Sequence, residues 1–147
     1  MARTIYGAEV FRTSDGSGTV NVSYDALGKN SEVIAVGDIV GLASGLLLVT
    51  TATMIGVAVK TQTLTSDNQT VAKVKPGYVP ITDDTLFLMG ANSDLTVATA
   101  PGTYYPITGA TGTQQIDVDG GVSTGATRNV EIVQVDPFNE GGTMLGS

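Results

Sequence analysis

The chain has 147 residues, room for one domain, and only 14% of them are charged, against about 25% in an average globular protein. It contains no Cys, no His and no Trp, which removes disulfide frameworks, thiol nucleophiles, zinc ribbons, imidazole bases and His-held metals or haem. With 14 acidic against 7 basic residues the net charge is −7, so the cations that neutralise phosphate are scarce and neither nucleic acid nor an anionic membrane is an expected partner.

The N-terminal stretch Met1-Ala2-Arg3-Thr4-Ile5-Tyr6-Gly7 leads into no apolar run, so no export signal is expected. Residues 1–18 read as an extended arm. Ile5, Tyr6 and Phe11 stand in it as isolated large apolar residues, either at a frayed end or as anchors onto a neighbouring chain. Thr19 to Tyr24 alternates, with Val20, Val22 and Tyr24 on one side, the signature of a half-buried strand.

Residues Ile39 to Val59 carry no charge, a length that matches a bilayer span. The stretch is instead read as three short buried strands. It is rich in Val, Ile and Thr, is broken by Gly41, Gly45 and Gly56, and is flanked by Asp38 and Lys60 with no basic cluster or aromatic belt. Within it, Ile55, Val57 and Val59 form a bulky face, while Gly56 and Ala58 leave the other face bare for close packing. Leu46 to Val49 and Leu86 to Met89 are apolar on both faces, as central or covered strands are.

Turn signals recur along the whole chain, among them Asp15 to Gly18, Ser44-Gly45, Ser66 to Asn68, Pro76-Gly77, Gly90 to Asp94, Gly109 to Gly112 and Asp119 to Gly121. No window sustains a helical apolar period. Gln114 to Asp119 alternates, with Ile116 and Val118 facing inward. The C-terminal residues 136–147 read as a tail carrying Phe138, Met144 and Leu145, which face the same choice between fraying and anchoring.

The expected fold is all-β: a compact β-barrel or β-sandwich of about eight to ten short strands over residues 19–135, with the N-terminal arm and the short tail outside it. The expected core comprises Val36, Ile39, Val40, Leu42, Leu46, Leu48, Ile55, Val57, Val59, Val71, Val74, Leu86, Leu88, Ile116, Val118, Val130, Ile132 and Val135.

Motifs that resemble chemical sites have plainer accounts. Asp117-Val118-Asp119-Gly120 opens like a calcium loop, but Arg128 occupies the position where an EF-hand needs Glu, so solvated carboxylates at a strand end explain it better. Asp83-Asp84 is a carboxylate pair, yet adjacent side chains do not flank one bond as a glycosidase requires. Gly109 to Thr113 lacks the Gly-Lys-Ser/Thr ending of a phosphate loop and reads as a hairpin turn. Asn21-Val22-Ser23 and Asn68-Gln69-Thr70 match the glycosylation triplet by chance. No catalytic residue, cofactor or metal is expected.

The chain is similar to bacteriophage capsid decoration proteins, also called cement or head-stabilising proteins. The similarity runs through Val36-Gly37-Asp38-Ile39-Val40, Gly45-Leu46, Ile55-Gly56-Val57-Ala58-Val59, Gly102-Thr103-Tyr104-Tyr105, Gly109 to Gly112, Gln114-Gln115-Ile116-Asp117-Val118 and Val133-Gln134-Val135-Asp136-Pro137. It covers residues 33–142 in a composition rich in Gly, Thr and Val. The resemblance implies a non-enzymatic virion protein on the outer capsid surface, made in the host cytoplasm. Its partners would be the major capsid protein and two further copies of itself in a homotrimer. Alternative readings are a tail or head-completion component, a carbohydrate-binding β-sandwich, and an enzyme built on Asp83, Asp84, Asp117 or Asp119.

Overall fold

The computed structural model describes residues 6–13, 21–82, 85–95, 101–119, 130–135 and 143–146. Their regular structure is β-strand, apart from one short helix. The uncharged run forms the three strands expected of it: β3 (Ile39–Ala43), β4 (Leu46–Val49) and β5 (Met54–Ala58). β3 and β4 are joined by Ser44 and Gly45, whose φ values of 50° and 78° make the two-residue turn that matches strand twist. With β7 (Tyr78–Pro80) these strands build an antiparallel sheet in the order β4-β3-β5-β7.

A second sheet has the order β1-β8-β13-β12-β9, from β1 (Ala8–Thr13), β8 (Thr85–Gly90), β13 (Thr143–Gly146), β12 (Val130–Val135) and β9 (Tyr104–Tyr105). Two short ladders complete the fold: β2 (Val33–Ile34) with β6 (Gln62–Thr63), and β10 (Ile107–Thr108) with β11 (Gln115–Ile116). The helix α1 spans Ser66–Thr70, where a turn was expected; the Asn68 side chain accepts the Thr65 N–H at 2.8 Å and stabilises its first turn. Five of the thirteen described strands are only two residues long, and none of the sheets among the described residues closes into a barrel.

Two apolar clusters share the four-stranded sheet. Ile39 and Val57 face one cluster, with Ala8, Phe87, Met89, Tyr105, Ile107, Ile116, Val130 and Ile132. Their chain neighbours Val40 and Ala58 face the other, with Ala26, Ile34, Leu47, Leu64 and Tyr78. Strands covered on both sides have no polar face to show, which is why the run from Ile39 lacks charge and alternation. At Gly56 the bare face permits a very close approach: a Cβ there would run into the Tyr78 ring and lie 2.6 Å from the Val79 carbonyl oxygen.

Several expectations are corrected. The presumed arm contributes β1, paired antiparallel with β8, and the presumed tail contributes β13, inserted between β8 and β12. Both strands pair with β8, more than fifty residues away along the chain from either, so local composition carries no trace of that pairing. Val36, Val71 and Val74, expected in the core, are exposed, and Leu42, Leu46, Leu48, Ile55, Val59, Leu88 and Val118 are only half-buried. Val22 and Tyr24 are likewise exposed, and their segment joins the sheet through a single bridge, Ser23 to Tyr78. Leu46 to Val49 is an edge of its sheet, not a centre; residues 27–29 cover that edge, with Leu47 N–H donating to the Leu27 carbonyl at 2.7 Å and Lys29 N–H to the Leu47 carbonyl at 2.9 Å.

Candidate interaction surface

The polar residues that fold to the interior serve structure. Asp38 is fully buried, and its carboxylate accepts the Ala35 N–H at 2.8 Å and the Gly112 N–H at 2.9 Å. Gln114, also buried, accepts the Ile39 N–H at 2.5 Å. These bonds lock the β10–β11 hairpin onto the start of β3. They also answer the phosphate-loop question: one of the loop N–H groups is already committed to a carboxylate. Tyr78 donates its hydroxyl to Asp25, and burial first, then that bond and the Asp25 charge, push the phenol pKa up to about 12.

Of the carboxylates singled out in the sequence, Asp117 and Asp119 are among the described residues. Asp83 and Asp84 lie outside the described residues. Asp117 accepts from the Asn92 side-chain NH2 at 2.9 Å, while the Asn92 side-chain Oδ1 accepts the N–H groups of Val118 and Asp119 at 2.8 and 3.2 Å. Asn92, which sequence reasoning had placed only in a turn, thus organises the strand end. Gly120 of the presumed calcium loop lies outside the described residues, and among the described residues no cluster of three possible metal ligands forms.

A surface of another kind is present. An open groove of about 510 Å³ runs between the start of β1 and the end of β5. Tyr6, Ala8, Val36, Val57, Val59, Val79 and Leu88 supply its apolar lining, Gly7 and Gly37 its bare backbone, and Glu9 its only charge. Tyr6 and Val36 at its rim are 52% and 62% exposed. Gly7 and Gly37 adopt φ values of 76° and 88°, which only glycine takes without strain, and a Cβ on Gly7 would sit 3.0 Å from the Gly37 carbonyl oxygen.

Three backbone N–H groups of the groove floor are already committed. Gly7 N–H donates to the Gln114 carbonyl at 2.9 Å, Ala8 N–H to Gly37 at 2.7 Å, and Gly37 N–H to Ala58 at 2.9 Å. Just before β7, a Cβ on Gly77 would lie 2.7 Å from the Tyr24 ring and 2.9 Å from the Val22 side chain, both of them exposed residues. Such a surface buries apolar groups; it presents no nucleophile and no converging acid and base.

Of the terminal residues named from the sequence, Tyr6 falls on this groove. Phe11 lies in β1, and Met144 and Leu145 lie in β13, all three within the five-stranded sheet. Ile5 and Phe138 lie outside the described residues. Val36 and Glu9 were missed as surface residues, because nothing in their sequence neighbourhoods distinguishes a groove wall from a core position or a solvated face.

No protein-family model, no curated protein and no solved structure matches the chain. Among the described residues no helix is long and apolar enough to cross a membrane.

Proposed function

We propose that this protein is a non-enzymatic structural component of a phage virion, docking on the outer surface of the capsid and stabilising the shell against internal pressure. The exposed apolar groove carries the reading, because it is a surface suited to protein contact on an otherwise tightly hydrogen-bonded β scaffold. One property of the chain agrees with it. A net charge of −7 is repelled by packaged DNA and so favours the outside of a shell over its lumen. The resemblance to decoration proteins drawn from the segments between Val36 and Pro137 is part of this proposal.

The mechanism is linkage. A protein that binds only the expanded lattice stabilises it by about 2.7 kcal/mol per site at a hundredfold excess over Kd. Self-association into a homotrimer engages several sites together and raises the effective concentration at each. The test is to heat or osmotically shock DNA-filled capsids with and without the purified protein. Better survival with the protein is expected, and equal survival of the two samples removes the role. Light scattering of the free protein tests the trimer, with three chains of 15.0 kDa giving about 45 kDa.

A further inference from the structure

We infer that the groove receives an extended segment of a partner polypeptide, one that presents apolar side chains beside a lysine or arginine. The inference rests on the reading of the protein as a docking component and specifies the chemistry of what it docks. Tyr6, Val36, Val59, Val79 and Leu88 offer an aliphatic and aromatic trough with no set of converging polar groups, which suits side chains of a polypeptide rather than a polar small molecule. Exposed Val22 and Tyr24 stand over Gly77, two residues along the chain from Val79 of the lining, and an extended segment is the shape that reaches from one to the other.

The N–H groups of Gly7, Ala8 and Gly37 already have carbonyl partners and are not free to pair with an added strand. Recognition therefore falls to side chains. Glu9 is the single charge in the lining, and among the described residues no cation pairs with it. On a chain of net charge −7, that carboxylate selects a cationic neighbour to the apolar anchors and repels an acidic one. A second copy is a poorer match than a cationic segment, since it carries the same net negative charge.

The test is a nuclear magnetic resonance titration of the isotope-labelled full chain with two hexapeptide amides. Each carries two leucines two positions apart; one follows them with lysine and the other with glutamate. Amide shifts are expected at Gly7, Glu9, Gly37, Val57 and Val79, with the lysine peptide binding roughly two- to fivefold tighter, as one exposed ion pair provides. Glu9→Gln should bring that ratio to about one, and Val36→Asp, at an exposed side chain, should weaken both peptides. Equal affinity of the two peptides for the unaltered protein, or shifts confined to other surfaces, would overturn the inference. So would self-association in sedimentation that Val36→Asp abolishes, since the occupant would then be a second copy. The capsid assay separates the two claims. Failed peptide selectivity with capsid protection intact rejects this occupant alone, whereas intact selectivity without protection supports the groove chemistry and rejects the capsid role.

Discussion

Asp25 and Tyr78 show how one buried hydroxyl ties stability to pH. The phenol ordinarily titrates near 10 but is held at about 12 in the fold, because burial and the Asp25 carboxylate both oppose its ionisation. The unfolded chain therefore gives up this proton first as pH rises. The stabilisation is complete below pH 10 and is lost between about pH 10 and pH 12, amounting to about 2–3 kcal/mol in all. Denaturant unfolding measured across that range should show the decline, and Tyr78→Phe should flatten it. A slope that persists in Tyr78→Phe would assign the effect to other groups. Glu9 belongs to this scale too: a carboxylate unremarkable in sequence becomes informative only once apolar side chains surround it.

At the scale of elements, glycines separate two kinds of constraint. Gly45 has a φ of 78°, yet a Cβ placed on it would meet nothing within 4 Å, so Gly45→Ala should cost only the backbone strain, about 1–2 kcal/mol. Gly56 does not have a positive φ but has no room, because the Tyr78 ring and the Val79 carbonyl oxygen fill the space. Gly56→Ala should force β5 and β7 apart and cost more, about 3 kcal/mol. Chemical denaturation of the two variants checks the order, and a larger loss at Gly45 would contradict it. Much of this level was legible in advance. The Gly-punctuated run from Ile39 to Val59 announced three strands, and the alternation of bulky and bare residues around Gly56 announced a close approach. The strands β1 and β13 were not legible, since a strand set among Gly, Ser and Thr is specified by the backbone it pairs with. The groove was legible only through Tyr6, an isolated large apolar residue among small and polar ones.

At the scale of the molecule, the four-stranded sheet belongs to both apolar clusters, so neither can dissolve without exposing a face of the other's support. Phe87→Ala in one cluster and Leu47→Ala in the other should lower stability by about 3–5 and 2–5 kcal/mol respectively. Both should shift one common unfolding transition. Calorimetry that resolved two transitions, each sensitive to one substitution, would show that the clusters are independent. The groove opens at the seam between the two larger sheets, where β1 passes the end of β5, so its shape depends on this shared packing.

The sequence by itself determined the chemical class of this protein. Lacking Cys and His, it denies itself thiol and imidazole chemistry, and its Gly, Thr and Val content with frequent turns commits it to short strands. These are local properties, decided by side-chain chemistry and backbone preference within a few residues. Tertiary structure decided which apolar residues are covered. Val36 and Val57 read alike in sequence, yet one stands at the rim of a groove and the other lies beneath it, because burial is set by what a distant part of the chain places on top.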